Sequence, residues 1–132
     1  MNAAADISAM TITNGHGAYG GINNYRGTLT LNNSTVSDNN AVDSGGGIRN
    51  DSSATLHLNH STITDNAAGS SEGIYNNMAT INFQSSIVAG NNNNNDCDTN
   101  GGMYLLNISG RPDRFFKDTH AKQEVLMKPV RS

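Results

Sequence analysis

Asp96-Cys97-Asp98-Thr99-Asn100-Gly101 sets side-chain oxygens at alternate positions and a glycine sixth, the opening pattern of a loop that wraps a calcium ion. Asp96, Asp98 and Asn100 are the candidate metal ligands. The twelfth position is Asn107 where a bidentate glutamate is needed, and only Asn91–Asn95 precedes the segment. Weak calcium binding is the most this loop offers, and no other cofactor is read. The acids of the repeat region (Asp38, Asp43, Asp51, Asp65, Glu72) are scattered over turns. Asp38 and Asp65 occupy equivalent places, and carboxylates stacked about 5 Å apart can share a cation. A solvated pair of turn aspartates is the preferred reading. The bases are Arg26 and Arg49, in non-equivalent positions near turns. Acid–base catalysis needs acids and a base converging in a groove. No such set is legible, so no catalytic residue is assigned.

The elements that carry these residues repeat. Asn24, Asn50 and Asn76 are spaced by 26, each two residues after the isoleucine of a Gly-Ile pair: Gly21-Ile22, Gly47-Ile48 and Gly73-Ile74. A period in the mid-twenties is one structural unit stacked several times. Each pair leads to an alternating tetrapeptide, Thr28–Leu31, Thr55–Leu58 and Thr80–Phe83, the period-2 pattern of a half-buried strand. Five residues later stands Val36, Ile63 or Val88. Length varies only in the Gly-, Asn-, Asp- and Ser-rich stretches: Ile22 to Leu29 is 7 residues, Ile48 to Leu56 is 8. Insertions fall in turns.

A coil of this size with three short strands predicts an all-β fold, a short right-handed parallel β-helix of about three to four coils. Inward columns are expected at Ile22/Ile48/Ile74, Leu29/Leu56/Ile81, Leu31/Leu58/Phe83 and Val36/Ile63/Val88. Polar ladders are expected at Asn24/Asn50/Asn76, Asn32/Asn59/Gln84 and Asn39/Asn66/Asn91, because stacked amides donate and accept in turn. Asparagine also tolerates the positive φ that corners require. Together these account for 21 asparagines among 132 residues. Ser34/Ser61/Ser86 and Thr28/Thr55/Thr80 form hydroxyl columns. Residues 1–19 read as a partial N-terminal coil with Met10 and Ile12 inside, and 20–110 as the repeats.

The composition changes near Gly110. Residues 111–132 hold six basic and three acidic residues and no asparagine. Asp118 or Thr119 could cap a short helix reaching about Met127, or the tail is disordered; the break also fits a truncated or frame-altered gene end. A net +3 over this stretch is too modest to predict nucleic-acid binding. No apolar run is long enough for a membrane span, and no basic start with an apolar stretch marks a signal peptide. The chain reads as a fragment of a longer secreted protein or an excised domain. Cys97, alone, leaves the redox compartment open.

Gly20-Gly21-Ile22-Asn23-Asn24 followed by Gly27–Asn39 resembles the repeats of polymorphic outer membrane proteins and of the related β-helix proteins with an alternative C-terminal anchor. The first family pairs Gly-Gly-x-Ile with Phe-x-x-Asn. Gly45-Gly46-Gly47-Ile48 is similar to the former, and Val36-x-x-Asn39, Ile63-x-x-Asn66 and Val88-x-x-Asn91 to the latter with an aliphatic for Phe. Ser86–Asn91 with Asp96-Cys97 resembles the last coil of the anchor-type group. The resemblance, over about residues 6–110, implies a pectate-lyase-like fold on a bacterial surface or outside the cell, with a structural or adhesive role. It implies carbohydrate or a host or cell-surface protein as partner, and end-to-end self-association is also expected of an open solenoid.

Two alternatives come from other classes. Gly15-His16-Gly17 is similar to a motif of the polygalacturonase family, whose chemistry needs a carboxylate pair. No Asp-Asp and no downstream Arg-x-Lys accompany it, so a carbohydrate-active remnant is the second reading and His16 a turn residue. Ordered Thr-x-Thr arrays suggest ice binding, but Thr28-x-Thr30 is followed by Thr55-x-His57 and Thr80-x-Asn82, which breaks one column.

Overall fold

The structure is a computed structural model that describes residues 2–101 and the backbone of three further strands. The first coil holds β1 (Ala4–Ser8), β2 (Thr11–Ile12) and β3 (His16–Gly17). The second holds β4 (Ile22–Tyr25), β5 (Thr28–Asn32), β6 (Thr35–Ser37) and β7 (Asn40–Ala41). The third holds β8 (Ile48–Asp51), β9 (Thr55–Asn59) and β10 (Thr62–Thr64), and the fourth β11 (Ile74–Asn77), β12 (Thr80–Gln84) and β13 (Ile87–Val88). A 3-10 turn at Asn92–Asn94 leads to β14 (Cys97–Asn100), β15 (Met103–Leu106), β16 (Arg114–Asp118) and β17 (Gln123–Met127).

Strands from successive coils pair in parallel to make three long faces, β1-β5-β9-β12-β15, β2-β6-β10-β13 and β4-β8-β11-β14, with a short β3-β7 pair. The chain is thus a parallel β-solenoid of about four turns, as its period predicts. All four expected apolar columns form in register. Leu31, Val36, Ile48, Leu56, Leu58, Ile63, Ile74, Ile81, Phe83 and Val88 are wholly enclosed. Each buried aliphatic contributes roughly 1.5–3 kcal/mol, so four per coil sustain a thin continuous core. Cys97 continues the Ile22/Ile48/Ile74 column as a buried fourth member. Its thiol serves as a small apolar group there.

Three expectations are corrected. Met10 is 51% exposed, whereas Ile7 pairs with Leu31, Ile12 with Val36, and both pack on the core. Met10 falls between those columns, and its backbone N–H donates to Ser34 Oγ. The helix expected over 118–127 is replaced by β17, antiparallel to β16, which in turn pairs Asp118 with Cys97. An end coil presents unpaired backbone groups, and strand addition satisfies them where a helix would not. The rest of 107–132 lies outside the described residues. Finally, the ladder asparagines do not make the left-handed corners. Those fall at Ala9/Asn33/His60/Ser85, at Asn14/Asp38/Asp65/Gly90 and at Arg26/Ser52/Met78/Gly101. A left-handed non-glycine costs energy locally and persists because the coils above and below dictate the bend.

Candidate functional site

Two ladders run through the described coils. Asn24 Nδ2 donates to Asn50 Oδ1 at 2.8 Å, and Asn50 Nδ2 to Asn76 Oδ1 at 2.8 Å. The same amides bond forward to Thr55 O and Thr80 O, both at 3.0 Å. In the second ladder Asn39 Nδ2 donates to Asn66 Oδ1 and Asn66 Nδ2 to Asn91 Oδ1, each at 3.0 Å. The last amide, Asn91, donates its Nδ2 and its backbone N–H to Asp96 Oδ1 at 3.0 Å. A ladder with a donor direction must end on an acceptor, and a carboxylate suits that end. Asn59 Nδ2 reaches Asn32 Oδ1 at 2.8 Å, but Gln84, though in register, is exposed and takes no part. Ser34 and Ser61 Oγ accept from backbone N–H groups one coil back, at 3.3 Å from Met10 and 3.2 Å from Ser34.

The ladder also explains the glycine before each isoleucine. A Cβ at Gly21, Gly47 or Gly73 would stand 2.9, 2.9 or 2.7 Å from Asn39, Asn66 or Asn91 respectively. Gly-Ile and x-x-Asn are two halves of one packing contact.

The calcium candidates do not converge. Residues 97–100 are extended, so Asp96, Asp98 and Asn100 follow one another along a strand edge instead of around an ion. Asp96 Oδ1 terminates the ladder, Asp98 Oδ2 accepts from Ser71 Oγ at 3.0 Å, and exposed Asn100 donates to Asn77 Oδ1 at 3.1 Å. Among the described residues no three His, Cys, Asp or Glu side chains gather. Asp38 and Asp65 are exposed corner residues, and His16 is exposed in β3 opposite Asn40. Glu72 is no surface acid: it is 2% exposed, and its Oε1 accepts from Asn93 Nδ2 at 3.2 Å. An unbroken threonine column does exist, at Thr11/Thr35/Thr62 on the second face, and it ends at Ile87.

The outward side of β4, β8 and β11 brings together what the sequence leaves apart. Asn23, Arg49, Tyr75 and Asp98 form one row, Tyr25, Asp51 and Asn77 the next. Asp51, 3% exposed, is ion-paired to Arg49 and accepts from Asn77 Nδ2 at 2.8 Å and Ser52 Oγ at 3.1 Å. The Arg49 guanidinium also lies over the Tyr19 ring, 4.3 Å from its centroid. These contacts hold Arg49 as a fixed cation. Beside this row opens a cleft of about 610 Å³ lined by Asn2, Ala3, Tyr25, Arg26, Ser52 and Ser53. Only the odd eight-residue spacing from Ile48 to Leu56 hints at it in the sequence.

Comparison with protein-family models, curated proteins and solved structures finds no match. The fold class therefore stands on the geometry alone: a parallel β-solenoid with internal amide ladders. No helix among the described residues is long and apolar enough to cross a membrane.

Proposed function

We propose that this chain is a non-catalytic, adhesive β-solenoid segment of a bacterial surface or secreted protein. The observation that carries the reading is how its polar side chains are used. The buried amides and serine hydroxyls bond coil to coil, and Arg49, the base nearest a carboxylate, is bound by Asp51 and Tyr19. A catalytic base must be free to take a proton; Arg49 is instead part of the wall. What the molecule offers outward is a rigid face with tyrosines and fixed polar groups, the composition of a recognition surface. The bacterial and extracellular setting is what the repeat resemblance implies.

The carbohydrate-active alternative makes the discriminating test. Incubated with polygalacturonate, with or without added calcium, the purified chain should release no unsaturated product. A rise in ultraviolet absorbance that vanishes in Arg49→Ala would overturn the structural reading.

A further inference from the structure

We propose that the cleft beside Tyr25 binds a sugar that carries a carboxylate; this names a ligand class for the adhesive reading above and rests on it. The cleft exists because one coil is longer than its neighbours. The Arg26 N–H donates to Asp51 O and the Ser52 N–H to Asn77 O, which aligns Arg26, Ser52 and Met78. Beyond the corner, the Thr55 N–H donates to Gly27 O and the Thr80 N–H to Ala54 O. Ser53 is therefore the extra residue. It and Ser52 are consecutive left-handed residues (φ 66° and 58°), so the corner of the third coil juts out. The shelf closes one side of the 610 Å³ cleft, and on its far side Ser53 and Met78 line a smaller one of about 260 Å³.

The lining selects the ligand. Tyr25 is 56% exposed and gives a flat ring on which the C–H face of a sugar can lie. Ser52, Ser53 and Asn2 supply groups that donate and accept, as sugar hydroxyls do. Arg26 supplies the charge. Its guanidinium lies 5.9 Å from the Tyr25 ring centroid, and among the described residues it pairs with no carboxylate. The adjacent acid, Asp51, is already taken by Arg49, Asn77 and Ser52. An exposed guanidinium presents parallel N–H donors that fit a carboxylate. The volume falls within the range of small-ligand sites, and apart from Ala3 the lining holds no aliphatic side chain to seat a peptide's apolar residue.

The test is an NMR titration of the isotope-labelled full chain with D-glucuronic acid, with D-glucose as the neutral control and acetyl-Ala-Ala as a peptide carboxylate. Glucuronate should shift the amides of Tyr25, Arg26, Ser52 and Ser53, and glucose should bind about tenfold or more weakly, as expected for loss of a charge-assisted bond. Arg26→Asn should erase that difference while keeping the fold, because asparagine accepts the left-handed corner. Deleting Ser53 should abolish both sugars' shifts, with a thermal melt confirming a folded chain. Equal binding of glucose and glucuronate, or tighter binding of the dipeptide at the same residues, would overturn the proposal. So would absence of shifts in the folded wild type, which leaves the scaffold reading intact. Conversely, unsaturated product from polygalacturonate in the assay above would contradict the non-catalytic reading while leaving the sugar site in place.

Discussion

At Asn50 three coils meet in one side chain. Its Oδ1 accepts from Asn24, its Nδ2 donates to Asn76 and to Thr80 O, and it is fully enclosed. Removing it leaves a donor on one neighbour and an acceptor on the next without water to replace the partner. Asn50→Ala should therefore cost about 1–3 kcal/mol, seen as a lower thermal midpoint. Asn23→Ala, one residue from the same ladder but exposed, should stay within about 0.5 kcal/mol of wild type. Equal losses would reduce the asparagines to compositional bias. These ladders were legible because the same residue recurs once per coil, at intervals of 26 in the first and of 27 and 25 in the second. Asp96 was not: it ends the second ladder from a loop off the period, and its neighbours Asp98 and Asn100 suggested a metal instead. Ligand spacing along a chain says nothing about convergence when the backbone between the ligands is extended.

Among the elements, β9 shows most directly how alternation became architecture. Leu56 is enclosed between Leu29 and Ile81, while Thr55 next to it sits between Thr28 and Thr80 on the outer side. Leu56→Asp should bury an unpaired charge and unfold the chain. Thr55→Asp should cost within about 1 kcal/mol, the span of strand preferences. Similar midpoints for the two variants would refute the inward and outward assignment. Strand positions and the apolar columns were readable throughout the repeats for this reason. The ends were less so. Met10 takes the place that Ser34 holds in the next coil, but the partial first coil has no Gly-Ile pair to fix that register. The last segment's helix-like composition was overridden by antiparallel backbone pairing of β17 with β16. The cleft needed three dimensions: Asn2, Arg26 and Ser53 belong to three different coils. Its one written trace was the extra residue in the third coil.

On the scale of the whole molecule, each coil touches only its neighbours, so stability is a sum of coil-to-coil terms and the rigid face depends on unbroken stacking. That architecture, with polar ladders committed to structure and recognition left to the outer side chains, is the central claim. Hydrogen exchange of the asparagine side-chain amides tests it in one experiment, since protection reports burial and bonding residue by residue. The NH2 groups of Asn50, Asn66 and Asn76 should exchange orders of magnitude more slowly than those of exposed Asn23, Asn33 and Asn92. Uniformly fast exchange across all six would contradict the laddered solenoid.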